Sequence, residues 1–346
     1  MSTTKTNAGR FFEDYAVGQK LVHAVPRTIS GGERALYHSF YPARHAIYSS
    51  DEFARVCGLQ QSPLDDLAGF HVVFGKTVPD VSLNAVANLG YAEGRFLQPI
   101  MVGDTLRSTS EVIGLKQNSS GETGVVWVHT KGFNQRDEVV IDYKRWVMVR
   151  KDDRDAPAPE TVVPELAKAL TVDQLTIPDG LDFSNYDFTL AGEPHRMADY
   201  AIGEKINHVD GTTIDEAEHM LATRLWQNTS KVHFDIGARA GNPRLIYGGH
   251  VISLARTLSF NGLANAQMIA GINAGSHVSP CTAGDTVRAW SEVLEKAETS
   301  APGIGAIRLR LVATKGVVGD MVLRDEMGKY QPDILLDLDY WALMPL

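Results

Sequence analysis

The sequence predicts an α+β protein made of two similar halves, each a curved antiparallel sheet wrapped on a buried central helix. Three observations lead there. The chain repeats itself, each half carries helices early and long strand-like segments late, and the apolar run through Ile252, Leu254, Ala255 and Leu258 must be buried on more than one face.

The repeat is read directly. Asp14-Tyr15-Ala16-Val17-Gly18-Gln19-Lys20-Leu21-Val22-His23 matches Asp199-Tyr200-Ala201-Ile202-Gly203-Glu204-Lys205-Ile206-Asn207-His208, and the same register puts Ala43 opposite Asn228 and Tyr48 opposite His233. Later, Gly103-Asp104-Thr105-Leu106-Arg107 matches Gly284-Asp285-Thr286-Val287-Arg288, and Trp146 matches Trp341. Internal repetition on this scale implies two copies of one domain. The charged, proline-broken stretch from Lys151 to Pro159 marks the boundary, so the reading is a first domain over 1–155, a linker over 156–180 and a second domain over 181–346.

In chain order, residues 1–10 are polar and read as a frayed start. A strand over 21–25 follows the Gly18 turn. Thr28-Ile29-Ser30 ahead of Gly31, Gly32 and Glu33 then offers a hydroxyl cap to a helix that Pro42 stops. A short helix over 51–57 precedes a longer apolar one capped by Asp65 or Asp66 and ended by Pro79. Residues 83–92 read as a strand after a bend at Ser82, and strands follow over 105–112, 123–133 and 139–149. In 123–133, Val126, Val128 and Thr130 alternate with Val125, Trp127 and His129, the pattern of a sheet with one apolar face. The linker carries one weak helical patch over 166–170. In the second half Thr213 or Asp215 caps a helix, a second helix starts at Gly249 or His250, and the last strands run over 286–295, 304–315 and 334–344.

Bulk properties exclude several classes. The net charge of −9 with no block of Lys or Arg leaves nucleic acid without an electrostatic footprint. Cys57 and Cys281 give neither a metal spacing nor a disulfide framework, as in a reducing compartment. No leader pattern and no membrane-length apolar segment is present, so the expectation is a cytoplasmic protein with no membrane partner. His208, His219, His233 and His250 lack a ligand spacing on one element, and no metal is expected.

The chemistry gathers in one stretch. Asn228 and His233 lie five residues apart, and Tyr247-Gly248-Gly249-His250 opens the apolar helix with unpaired backbone amides. An imidazole passes protons near neutral pH, and amides at a helix N-terminus steady a developing oxyanion. Only the second copy keeps the Asn/His pair. The fold therefore does not need it, which favours function over packing at His233.

At these residues the chain resembles the hot-dog fold in its double form, and in particular the MaoC-like hydratases and dehydratases that act on coenzyme A thioesters. That family's usual signature is Asp-x-Asn-Pro-x-His-x-Asp ahead of a His-Gly that begins the central helix. Here it stands as Asn228-x-Ser230-Lys231-Val232-His233-Phe234-Asp235, then Tyr247-Gly248-Gly249-His250. Asn228 replaces the usual catalytic Asp, as it does in a subset that hydrates branched unsaturated dicarboxylic thioesters, and the stretch from Phe70 to Asp80 is similar too. The resemblance implies reversible addition of water to mesaconyl-CoA (2-methylfumaryl-CoA) to give 2-methylmalyl-CoA.

In that reaction His233 takes the proton of water, the neutral Asn228 orients the water, and the Gly248-Gly249-His250 amides hold the thioester oxygen, Gly249 falling on the family's helix glycine. Asp235 either reinforces the imidazole or caps the turn that follows, and capping preference favours the second. The substrate's free carboxylate needs a buried partner, for which Arg239, Arg244 and, if the first half lines the pocket, Arg44 are candidates. Coenzyme A is part of the substrate, and no separate cofactor is expected. Two other classes stay open: a hot-dog thioesterase attacking the thioester carbonyl, and a noncatalytic acyl-CoA-binding protein. A homo-oligomer is expected, because Trp127 and Trp290 alternate onto what reads as an outer apolar face.

Overall fold

Segments rich in β-branched and alternating residues pair into one antiparallel sheet in the computed structural model, which describes residues 5–239 and 241–346. Residues 1–4 of the expected frayed start, and Ala240 after the Asp235 turn, lie outside the described residues. The strands are β1 (Lys20–Thr28), β2 (Ala85–Phe96), β3 (Thr105–Gln117), β4 (Thr123–Phe133), β5 (Val139–Arg150), β6 (Lys205–Thr213), β7 (Met268–His277), β8 (Thr286–Glu298), β9 (Ile304–Lys315) and β10 (Ile334–Pro345). Their spatial order is β1-β3-β4-β5-β2-β7-β10-β9-β8-β6.

This order corrects the expectation of two curved sheets, each wrapped on its own helix. The strands form a single ten-stranded sheet that stays open, since β1 and β6 stand at opposite ends and do not pair. The physical reason lies at the centre. Strand β2 of the first half pairs with β7 of the second, Tyr91 facing Gly275 and Arg95 facing Gly271, so the edge that each half would leave unpaired is satisfied by the other. Repetition survives in the outer strands, where β1 pairs with β3 as β6 pairs with β8.

Among the described residues, four helices of eight residues or more pack on the sheet: α1 (Gly31–Phe40), α2 (Asp66–Thr77), α3 (Glu216–Leu225) and α4 (Gly248–Leu258). Local chemistry sets their starts. Ser30 and Glu33 form a reciprocal cap on α1, Asp65 accepts from the Leu67 amide at 2.9 Å on α2, and Asp215 accepts from the Ala217 amide at 2.8 Å on α3. Helix α4 starts at Gly248, earlier than expected, with Tyr247 at its cap and no side chain on its first amides. Every residue of α2 is buried, and so is all of α4 after Gly248. Both are core elements.

The two central helices meet. His71 on α2 hydrogen-bonds Ser253 Oγ on α4 at 2.8 Å, and Tyr37 of α1 donates to the same oxygen at 3.2 Å. Their apolar side chains join one cluster that includes Phe70, Phe74, Tyr91, Trp226, Tyr247 and Leu254. Each fully buried side chain of this size contributes about 1.5–3 kcal/mol, so the cluster ties the halves together through many small terms.

Between the halves, Val162 pairs with Leu115 of β3, the Leu170 amide donates to Asn273 on β7 at 2.8 Å, and Trp341 on β10 donates to the Leu170 carbonyl at 3.1 Å. The weak helical patch over 166–170 is not a helix; the segment makes only a 3-10 turn at Val172–Gln174, because so short a run cannot nucleate a helix against its own entropy.

The apolar outer face expected from Trp127 and Trp290 is also corrected. Trp127 is covered where Gly114 brings it beneath Pro164 of the linker. Trp290 packs with Val312 and Ile334 under Val318, Met321, Leu323 and Tyr330. Segments outside the strands cover both rings, which periodicity within a strand cannot reveal.

Candidate active site

A cavity of about 330 Å³ opens where α2, β2, β5 and β7 meet the loop before α4. Its wall includes Asn228, Ser230, His233, Leu245, Tyr247 and Gly248 from the second half, and Phe74, Val78, Ser82, Asn88, Tyr91 and Arg145 from the first. Both halves build it.

His233 ends a 3-10 turn over Lys231–His233. Its Nδ1 lies 2.7 Å from the Leu245 carbonyl oxygen, which can only accept, so Nδ1 carries the proton and Nε2 keeps its lone pair. Burial pushes the imidazole down to about 4, against the Leu245 hydrogen bond that favours the charged form, and the Arg239 charge lowers it further. At neutral pH the ring is therefore an uncharged base on the cavity wall.

Asn228 is buried on the same wall, and its Oδ1 accepts from the Ser230 amide at 3.0 Å, which fixes the turn leading to His233. The loop is held from below by α2. A Cβ on Gly75 would come within 1.8 Å of the Trp226 carbonyl oxygen, so only glycine lets α2 approach the backbone that carries Asn228.

At the start of α4, the Tyr247 amide donates to His219 Nε2 at 2.8 Å and the His250 amide donates to the Tyr247 carbonyl at 2.9 Å, while the Gly248 and Gly249 amides occupy the positions without a helical acceptor. Gly248 lines the cavity. Gly249 is packed tightly instead, its missing Cβ leaving room for the Tyr247 and His71 rings at 2.4 and 2.6 Å. The His250 side chain faces away from this wall and hydrogen-bonds Tyr41 Oη at 2.9 Å, with burial holding it down at about 3.

The other sequence candidates lie elsewhere. Asp235 is exposed and accepts from the Gly237 amide at 2.8 Å, capping the next turn, and the Leu245 carbonyl is what holds the imidazole. Arg239 donates to the Pro243 carbonyl at 2.8 Å, Arg244 pairs with Glu216 at 2.6 Å, and exposed Arg44 stacks on Phe260 at 4.4 Å. None of these three lines the cavity.

What sequence reasoning missed comes mostly from strands. His277 on β7 lines the cavity and hydrogen-bonds Tyr91 Oη at 3.2 Å, burial holding it down at about 4. Asn88 on β2 has both side-chain amide atoms buried without a partner. Arg145 on β5 is fully buried. Its signal was present, because Ile141, Tyr143, Arg145, Val147 and Val149 share one face of the strand and a cation interrupts an otherwise apolar stripe.

At the matching place in the first half a carboxyl stands at the helix start, beside a cavity of only about 10 Å³. The first residue of α2 is Asp66, where α4 has Gly248, and Tyr48 donates to the Asp66 carboxyl, which also accepts from the Ile269 amide at 2.7 Å. Burial pushes Asp66 up to about 7.

Known proteins resemble this chain over nearly its whole length. The profile of a family described as mesaconyl-CoA hydratase matches residues 2–316. The chain is 70% identical over 341 residues to a mesaconyl-CoA hydratase of Cereibacter sphaeroides, covering 99% of each. A crystal structure of a putative MaoC domain protein dehydratase from Chloroflexus aurantiacus, 57% identical, superposes with a TM-score of 0.97 over 99% of both chains. A Mycobacterium tuberculosis protein described as a double hotdog fold is 23% identical with a TM-score of 0.74, covering 97% of this chain and 98% of that one, which speaks to the fold alone.

Proposed function

The chain belongs to the mesaconyl-CoA hydratase family, and on that premise we propose how its own residues carry out the reaction. The protein is a hydro-lyase of the enoyl-CoA hydratase type that adds water to mesaconyl-CoA or a thioester like it, and removes it in reverse. Hydration puts the water oxygen on C3, which bears the free carboxylate, and a proton on C2, beside the thioester carbonyl. The double bond's electrons pass through the thioester oxygen.

One observation carries the assignment of roles: His233, whose Nδ1 is taken by the Leu245 carbonyl and whose Nε2 is left as a base, lines a cavity that it shares with Asn228 and with Gly248 at the start of α4. His233 takes a proton from water as that water attacks C3. Asn228 cannot act as a base, and its amide orients the water or the hydroxyl formed from it. The Gly248 amide, with the N-terminal end of the helix dipole behind it, supports negative charge on the thioester oxygen; Gly249 serves through its own amide and by letting the rings close around the turn.

The two-domain reading over 1–155 and 181–346 is part of the same proposal. The first domain contributes wall residues and no chemistry, which the bond from Tyr48 to Asp66 at its own helix start supports. We place the protein in the cytoplasm, where its free, buried Cys57 and Cys281 stay reduced. Self-association remains proposed on a different surface: β1 and β6 are open edges with Val22, Val25 and Val209 exposed, and a second copy would cover them. Sedimentation equilibrium should then give a mass above the 37.8 kDa of one chain, and a single-chain mass at micromolar concentration removes this proposal.

Incubating the pure protein with mesaconyl-CoA tests the whole reading. Mass spectrometry should show the thioester gaining one water, and in deuterated water one deuterium at C2. Release of free CoA would identify a thioesterase, and an unchanged substrate would identify a binding protein.

A further inference from the structure

We propose that Arg145 is the residue that receives the free carboxylate of the dicarboxylic acyl group, and that Asn88 completes its site. The proposal rests on the hydratase reading above. It starts from an electrostatic anomaly. Arg145 is 0% exposed, yet among the described residues no carboxylate pairs with it. Its Nη2 donates to Thr77 Oγ1 at 2.7 Å and to Ser82 Oγ at 3.5 Å, and its guanidinium lies 4.3 Å from the centre of the Phe74 ring. Nε and Nη1 are buried with no hydrogen-bond partner among the described residues.

A buried cation with two idle donors is costly unless an anion arrives. This one borders the cavity that also holds Asn228 and His233, so an acyl group seated there lies beside the guanidinium, and a small shift of the lining side chains uncovers its idle donors. The planar guanidinium fork suits a carboxylate, and the idle amide of Asn88 on the same wall adds a further donor. The neighbours Phe74, Tyr91 and Tyr247 offer no competing negative charge at neutral pH, since burial raises both tyrosines.

The arrangement has a consequence for specificity. In the substrate the carboxylate is bonded to C3, the carbon that water attacks, so a clamp on the carboxylate also fixes that carbon relative to His233. A thioester with a methyl group in its place would leave the buried guanidinium unpaired, and selection would come from that penalty as much as from attraction.

Binding of two unreactive saturated analogues separates this from the hydratase reading. Calorimetry on the wild-type protein should show 2-methylsuccinyl-CoA binding about 30-fold or more tighter than 2-methylbutyryl-CoA, which carries a methyl where the carboxylate stands. Arg145→Met should abolish that preference while 2-methylbutyryl-CoA binds within about threefold of wild type. Asn88→Ala, which removes no internal hydrogen bond of the fold, should narrow the preference about threefold to tenfold and keeps the test decisive if Arg145→Met does not fold. Equal binding of the two analogues by wild type, or a preference untouched by both substitutions, overturns the proposal. Hydration of mesaconyl-CoA by a wild type without this preference would sink the Arg145 assignment and leave the hydratase reading standing.

Discussion

Replacing His233 with alanine should lower turnover of mesaconyl-CoA about 100-fold or more, the usual loss when a positioned acid or base is removed. That is about 2.7 kcal/mol of barrier. The fold should survive, because the substitution deletes one hydrogen bond to the Leu245 carbonyl, worth about 1 kcal/mol, and opens space onto an existing cavity. A shift of a few degrees in thermal midpoint is the corresponding expectation. The loss should fall on kcat rather than on KM, since a base acts in the transition state and contributes little to holding coenzyme A. Normal turnover, or a loss matched by unfolding in circular dichroism, would remove His233 from the mechanism.

The second large effect is on stability in acid. Burial holds His71 and His250 down at about 3, His208, His233 and His277 at about 4, and His219 at about 2, while His45 is held well below its ordinary value. The unfolded chain binds a proton at each near pH 6.5. Stability from keeping these rings neutral is therefore fully present above pH 6.5 and is lost as pH falls from there toward the folded values. Each ring steepens the loss by about 1.4 kcal/mol per pH unit once the unfolded form is protonated.

Asp66, pushed up to about 7 by burial, acts in the opposite sense, as do the raised Asp65, Glu193 and Glu218. The imidazoles outnumber them between pH 6.5 and 5. The thermal midpoint should drop by about 5 °C or more between pH 7 and pH 5.5. A midpoint that stays flat over that interval would mean the folded protein protonates these rings at little cost, and that the buried polar network relaxes on acidification.

Much of this protein was legible in the chain itself. Hydroxyl and carboxylate caps at Ser30, Asp65 and Asp215 act within a few residues of where they stand, and alternation over β4 follows from the two-residue period of any strand. Asn228 and His233 were readable for the same reason, as neighbours on one short loop whose internal repeat partner had lost them. Strand β7 was not read, because Ala270, Gly271, Ala274 and Gly275 give it a weak strand signature; small residues are there to admit Leu170 and Tyr91 from other parts of the chain.

Tertiary structure alone decided how the two halves meet and therefore what fills the pocket. One open sheet formed because the unpaired backbone edges of β2 and β7 satisfy each other, and that junction brought Asn88 and Arg145 to the wall that carries His233. Likewise Arg239 and Arg244, near His233 in sequence, found partners outside the cavity, while Arg145 reached it from 88 residues away. Sequence determines what each segment does with its neighbours; which distant cation is left buried and unpaired depends on how backbone edges and apolar faces are satisfied across the whole fold.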